Sequence, residues 1–246
     1  MQMHHGTHFG CSQSLGAARE IQGDVIFGLS EAERAYMERQ PLEILAGGHD
    51  RFFAVGYPKS DSLARGEYDP DKVRRELLLA HDRPVVLIAS HWTPPAILHK
   101  YGASLVEQLA RRFPEISFIQ TGHNMIWDSP EVVSPDYPND SFRFDRISAR
   151  KLWENLTSIA QAYSNVRVVR TTNIESLMSA ADLLVVDHSS ALTLFTLVDR
   201  PILQFQTPDV RWCDPQIRDL CTEAAHGFKL LKNYSASCPS LSLIRD

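Results

Sequence analysis

The chain has 246 residues, 43% of them hydrophobic and 22% charged, with a formal net charge of −5. That balance belongs to a folded protein of one or two domains and leaves no overall basic field for holding nucleic acid. Its four cysteines form no C-x-x-C pair, nothing resembles a secretory signal, and no apolar run approaches the roughly 20 residues needed to span a bilayer. The sequence therefore predicts a reduced, cytoplasmic setting, with any membrane contact peripheral and at the inner face.

Strand-like and helix-like patterns alternate along nearly the whole length. Asp24–Leu29 reads as a short strand, and Ser30 with Glu33 opens a helix as a capping box. Phe52–Val55 is a second strand, ending in Gly56-Tyr57-Pro58-Lys59-Ser60-Asp61. Ser62–Pro70, polar and carrying Gly66, reads as a linker or turn. Asp71–Leu79 is helical by period, Pro84–Ala89 a strand, Ile97–Phe113 one amphipathic helix, and Ile116–Gln120 a strand. Gly122–Ile147, with three prolines and no clear period, reads as a long loop in which Trp127 and Tyr137 are candidate substrate contacts. Ser148–Tyr163 is a helix, Val166–Val169 a strand and Ile174–Ala181 a helix. Leu183–Val186 is a buried strand, followed by an apolar helix-like run, a turn at Asp199-Arg200 and a strand at Pro201–Phe205. A further helix is predicted over Pro215–Leu231, and the Ser-rich tail from Ser235 is loosely held. Such alternation implies right-handed βαβ units and a mostly parallel sheet.

Chemistry-bearing residues fall at the ends of these strands. Asp187-His188-Ser189-Ser190 stops a buried strand just before a helix, and so belongs at the carboxyl edge of a parallel sheet, where open α/β folds bind ligands. Hydroxyls and free N–H groups at a helix start favour a phosphate, although serines there commonly do no more than cap the helix. Ser90-His91-Trp92-Thr93 and His123 follow two other strands. Lys59 sits in a turn where it can meet an anion or face solvent. Near the start, His4-His5-Gly6-Thr7-His8 offers a general base beside a glycine. With Cys11 it also suggests a metal site, but no matching Cys/His pair with ligand spacing occurs elsewhere.

Taken in order, these motifs resemble the CDP-glycerol:poly(glycerophosphate) glycerophosphotransferase family, whose members build teichoic-acid-like polymers on a two-domain GT-B fold. His5-Gly6-Thr7 is similar to the family's W-H-G-T. Gly56, Pro58, Lys59 and Asp61 are similar to G-x-P-R-x-D, and Ala89-Ser90-His91-Trp92 to A-P-T-W. His123 stands for the family's strand-following histidine, and Asp187-His188-Ser189-Ser190 with Arg200-Pro201-Ile202 for T-D-Y-S-S and the R/K-P-I strand. The resemblance spans about residues 4 to 206. It implies transfer of glycerol phosphate, or a related polyol phosphate, from a CDP-linked donor to a polymer or lipid-linked hydroxyl acceptor, with CMP released. It implies His5 as base, oriented by Thr7, with His123 and Lys59 neutralising phosphate charge. The phosphate-binding loop is Asp187, His188, Ser189 and Ser190, in which Asp187 fixes the loop through hydrogen bonds. No metal or cofactor is demanded. Lys59 replaces the family's arginine, which turns a two-pronged grip into a point charge. His4 and His188 stand where the family has tryptophan and tyrosine, no arginine follows Trp92, and no acid follows the paired serines.

The implied fold class is α/β: a GT-B-like, Rossmann-type parallel sheet flanked by helices, with a truncated N-terminal lobe. Residues 1–57 would be the remnant of an acceptor-side lobe, 58–234 the nucleotide-binding domain, and 235–246 a tail. A fragment, a shortened relative and a chain completed by a partner or a second copy are each compatible with this reading. Two rival functions remain: a GT-B glycosyltransferase or epimerase using a UDP-sugar, and a non-catalytic nucleotide-binding subunit.

Overall fold

The computed structural model describes residues 2–3, 25–28, 31, 34, 52–92, 96–128 and 146–205. Two parallel sheets lie within them. The smaller has the order β1 (Gln2–Met3), β2 (Ile26–Gly28), β3 (Phe52–Ala54). The larger is built from β4 (Val85–Ser90), β5 (Ser117–Gly122), β6 (Val166–Val168), β7 (Leu183–Val186) and β8 (Ile202–Gln204), in the order β6-β5-β4-β7-β8. The chain builds outward from β4 in one direction, then returns to build outward in the other. The α/β class, with a parallel sheet flanked by helices, is thus observed.

Both faces of this sheet are covered, which is why its central strands read as unbroken apolar runs rather than alternating ones. Val86, Ile88, Phe118, Val166, Leu183 and Val185 point to one face, against α3 (Ile97–Tyr101), α4 (Ser104–Arg112) and α6 (Arg146–Ala162). Val85, Leu87, Ala89, Ile119, Leu184 and Val186 point to the other, against α7 (Ile174–Ala180) and α8 (Ala191–Phe195). Leu87, Ile88, Ile119 and Leu184 are each 0% exposed. Full burial of such a side chain is worth about 1.5–3 kcal/mol, so these neighbours anchor the sheet.

Three expectations need correction. The segment read as a linker contains a helical turn, α1 (Asp61–Ala64), which seals Leu63 into the second face; α2 (Pro70–Glu76) then begins at the proline expected to end the turn. Proline is at home in a first helical turn, and Asp69 caps α2 by accepting from the N–H groups of Asp71 and Lys72. The single helix expected over Ile97–Phe113 is two helices, because Gly102 adopts φ +59 and ends α3. The long loop after β5 opens with a helical turn, α5 (Met125–Asp128). Gly122 permits this turn: a Cβ there would lie 3.1–3.2 Å from Ile126, Leu98 and Trp127. The helices expected over the capping box and Pro215–Leu231, the loop residue Tyr137 and the tail lie largely or wholly outside the described residues.

The amino edge of the larger sheet is tied by side chains. Arg74 pairs with Asp182 at 3.0 Å, and Asp182 accepts from the Val85 N–H. Buried Asn165 donates to the carbonyls of Ala110, Phe113 and Ile116, and Arg200 donates to those of Ser179 and Ala181.

Candidate active site

The strand order reverses between β4 and β7, so the loops leaving their carboxyl ends diverge and leave a crevice. Asp187, the first residue after β7, lies at its floor and is completely buried. Its Oδ1 accepts from the N–H groups of His91 (3.0 Å) and Ser189 (3.1 Å). Its Oδ2 accepts from the Ile97 N–H (2.9 Å) and the Ser90 hydroxyl (3.0 Å). Ser90 Oγ in turn accepts from the Leu98 N–H. One carboxylate therefore joins the β4 loop, the start of α3 and the β7 loop, as a buried charge must to offset its lost hydration. Both oxygens of Asp187 are thus engaged with the scaffold, in keeping with the loop-fixing role expected of it.

Above this floor lie aromatic rings from three loops. The His91 and His188 ring centroids are 4.6 Å apart, and those of His91 and His123 5.5 Å. Trp92 stacks on His91 at 5.7 Å and lies 6.5 Å from His123. His123 is held by its N–H donating to the Ser90 carbonyl and by its Nδ1 accepting from the Met125 N–H. Burial holds the His91 imidazolium form well below its ordinary range, and repulsion from His188, His123 and His99 adds to this. Burial also lowers His188, partly offset by the Asp187 charge. The cluster is uncharged at neutral pH at these two rings, since burial penalises the imidazolium. Among the described residues, no group of three or more His, Cys, Asp or Glu side chains is arranged to hold a metal ion.

The serine pair sits where α8 begins. Ser189 is partly exposed and its Oγ accepts from the Ala191 N–H at 3.3 Å, whereas exposed Ser190 occupies the N-cap position without a side-chain capping bond. Capping therefore accounts for Ser189 only weakly and for Ser190 not at all. Lys59 lies in a 3-10 turn, Pro58–Ser60, and reaches the loop after β6: its Nζ is 3.6 Å from Glu175 Oε1 and donates to the Thr172 carbonyl at 3.4 Å. That loop leaves a carboxyl strand end, so Lys59 is on the same edge of the sheet as Ser189. The structure thus gathers His123, Asp187, His188, Ser189 and Ser190 at one crevice, with Lys59 on the same edge. His5 and Thr7 lie outside the described residues.

His91, His99 and Glu175 carry more of this edge than the sequence suggested. His91 was visible as a strand-end histidine. Glu175, 1% exposed and one residue inside α7, gave no signal beyond a charge in a helix. His99 on α3 is held at a pKa of about 4, chiefly by burial. Its folded-state value lies below the ordinary 6.5, so the unfolded chain takes up the proton first as pH falls. Stability should therefore be fully present above pH 6.5 and decline toward pH 4. Urea midpoints across that window should fall less steeply in His99→Gln than in the wild type; parallel curves would remove His99 from the acid response.

No protein-family model and no curated protein matches the chain. Solved structures do, and they define a fold class: Rossmann-type sheets of the GT-B kind. The similar structures include two variants of the wall teichoic acid polymerase TagF. One aligns with a TM-score of 0.52 and the other with 0.53, each at 16% identity over 83% of this chain. The chain spans about half of those polymerases, 49% of their length.

Proposed function

We propose that this protein is a transferase that moves glycerol phosphate, or a related polyol phosphate, from a CDP-linked donor to a hydroxyl on a polymer or lipid-linked acceptor. The observation that carries this is the meeting, at the switch point of a GT-B-type sheet, of the serine pair, His123 and the Asp187-braced loops. The motif order read from the sequence adds the donor class. In this reading the acceptor oxygen attacks the glycerol-phosphate phosphorus, His5 takes its proton with Thr7 orienting the ring, and the P–O bond to CMP breaks. Ser189, Ser190 and the N–H groups at the start of α8 hold the donor's phosphates, while His123 and Lys59 offset the charge that develops on them. In this reading residues 1–57 belong to the acceptor side and 58–234 to the donor side. No described helix is long and apolar enough to cross a membrane.

Incubation with CDP-glycerol, other CDP-polyols and UDP-sugars, with detection of released CMP or UDP, tests the reading directly; release of UDP alone would replace it with a sugar transferase. The phosphate assignment has its own test. Each hydrogen bond to a charged phosphate is worth about 1.5–3 kcal/mol, so Ser189→Ala/Ser190→Ala should weaken CDP binding at least tenfold by calorimetry. A folded double variant with unchanged affinity would sink that assignment.

A further inference from the structure

We propose that His91 and His188, together with His123, form the charge-neutralising surface for the donor's diphosphate, so that capture of a nucleoside-diphosphate diester is coupled to uptake of protons. This rests on the donor-site reading above, adds His91 to it, and gives His188 of the phosphate-binding loop a stated part. Of the cations at this edge among the described residues, Lys59 lies against the Glu175 carboxylate and Arg170 over the Trp127 and Trp153 rings. The crevice instead presents imidazoles from three separate strand ends, with centroids 4.6 and 5.5 Å apart.

The charged groups facing these rings can be named element by element. Asp187 faces them from the β7 loop, His99 from α3, and the rings face one another from the loops after β4, β5 and β7. Asp187 is already engaged by the backbone N–H groups of His91, Ile97 and Ser189. Burial opposes adding a proton to His91 or His188, the first ring charged opposes a second, and Asp187 offsets part of this at His188. A diphosphate laid across the rings reverses the balance, because opposite charge within about 4–6 Å favours the protonated form. By linkage, a ligand that raises a ring's proton affinity binds more tightly as pH falls. Fixed cations would give a site indifferent to pH near neutrality; imidazoles give one tuned by it.

The test is calorimetric binding of CDP-glycerol, and in parallel UDP-glucose, at pH 6.5 in two buffers of different ionisation enthalpy. These diphosphate diesters have no ionisation near neutrality, so any buffer-dependent heat reports protons exchanged by the protein. We expect uptake of roughly half a proton or more per ligand, and weakening of affinity that approaches tenfold per pH unit for each fully linked proton. His91→Asn and His188→Asn should each reduce the uptake, whereas His5→Gln should not. The wild-type measurement needs no variant to fold. Binding of either ligand without proton uptake overturns this inference and leaves the donor-site reading standing. Uptake that persists undiminished in folded His91→Asn and His188→Asn proteins also overturns it. A wild type that binds neither ligand overturns both.

Discussion

Replacing His5 with glutamine should lower turnover by roughly 10²–10⁴ while leaving CDP affinity nearly unchanged, because a general base acts in the transition state and not in donor binding. Glutamine keeps much of the imidazole's size and hydrogen-bonding capacity but cannot take a proton. A metal site at His4, His5, His8 and Cys11 would behave otherwise: zinc would copurify, and chelation would destabilise the fold. Turnover and CDP affinity measured together on wild type and His5→Gln separate these cases. Equal turnover in the two proteins would end the base assignment.

Asp187→Ala should be the most damaging substitution at the crevice, costing roughly 3–5 kcal/mol of stability, the range for removing one partner from a buried charged network. The carboxylate is 0% exposed, and its loss would leave the N–H groups of His91, Ile97 and Ser189 and the Ser90 hydroxyl without their acceptor. Those donors belong to two loops, the one between β4 and α3 and the one after β7, so the geometry of the His91 and His188 rings and of the serine pair should go with them. Asp187→Asn keeps the shape but turns one acceptor into a donor facing other donors, and should recover only part of the loss. Urea denaturation combined with CDP calorimetry checks both effects. An Asp187→Ala protein as stable as the wild type would show that the loops are held by something else.

The central strands were legible in the sequence because Val85–Ser90 and Leu183–Val186 are buried on both faces and so appear as continuous apolar runs. The placement of Asp187 to Ser190 at the carboxyl edge followed from the strand that precedes them. Helix boundaries were less legible where one glycine decided the matter: the apolar spacing of residues 97–113 continues across Gly102, but the backbone there does not. The turn at Asp61–Ala64 was hidden because four residues, of which only Leu63 is buried, leave little periodic signal. The meeting of His91 with His188 was unreadable for a different reason. It depends on β7 returning to pair with β4, a contact between residues 97 positions apart that no local pattern records.

Apart from Asp187, the side-chain ties of the larger sheet and its histidine and serine cluster occupy opposite ends. The Arg74–Asp182 pair, the three bonds of Asn165 and the grip of Arg200 on the Ser179 and Ala181 carbonyls all lie at the amino ends of the strands. The histidines and serines stand at the carboxyl ends, where Asp187 is the member on which the fold depends most. Residues around the crevice other than Asp187 can therefore be exchanged with little loss of the sheet, as a lock can be re-keyed without rehanging the door. Substitution of Lys59 or His188 should alter the chemistry of this edge and leave the sheet beneath it standing.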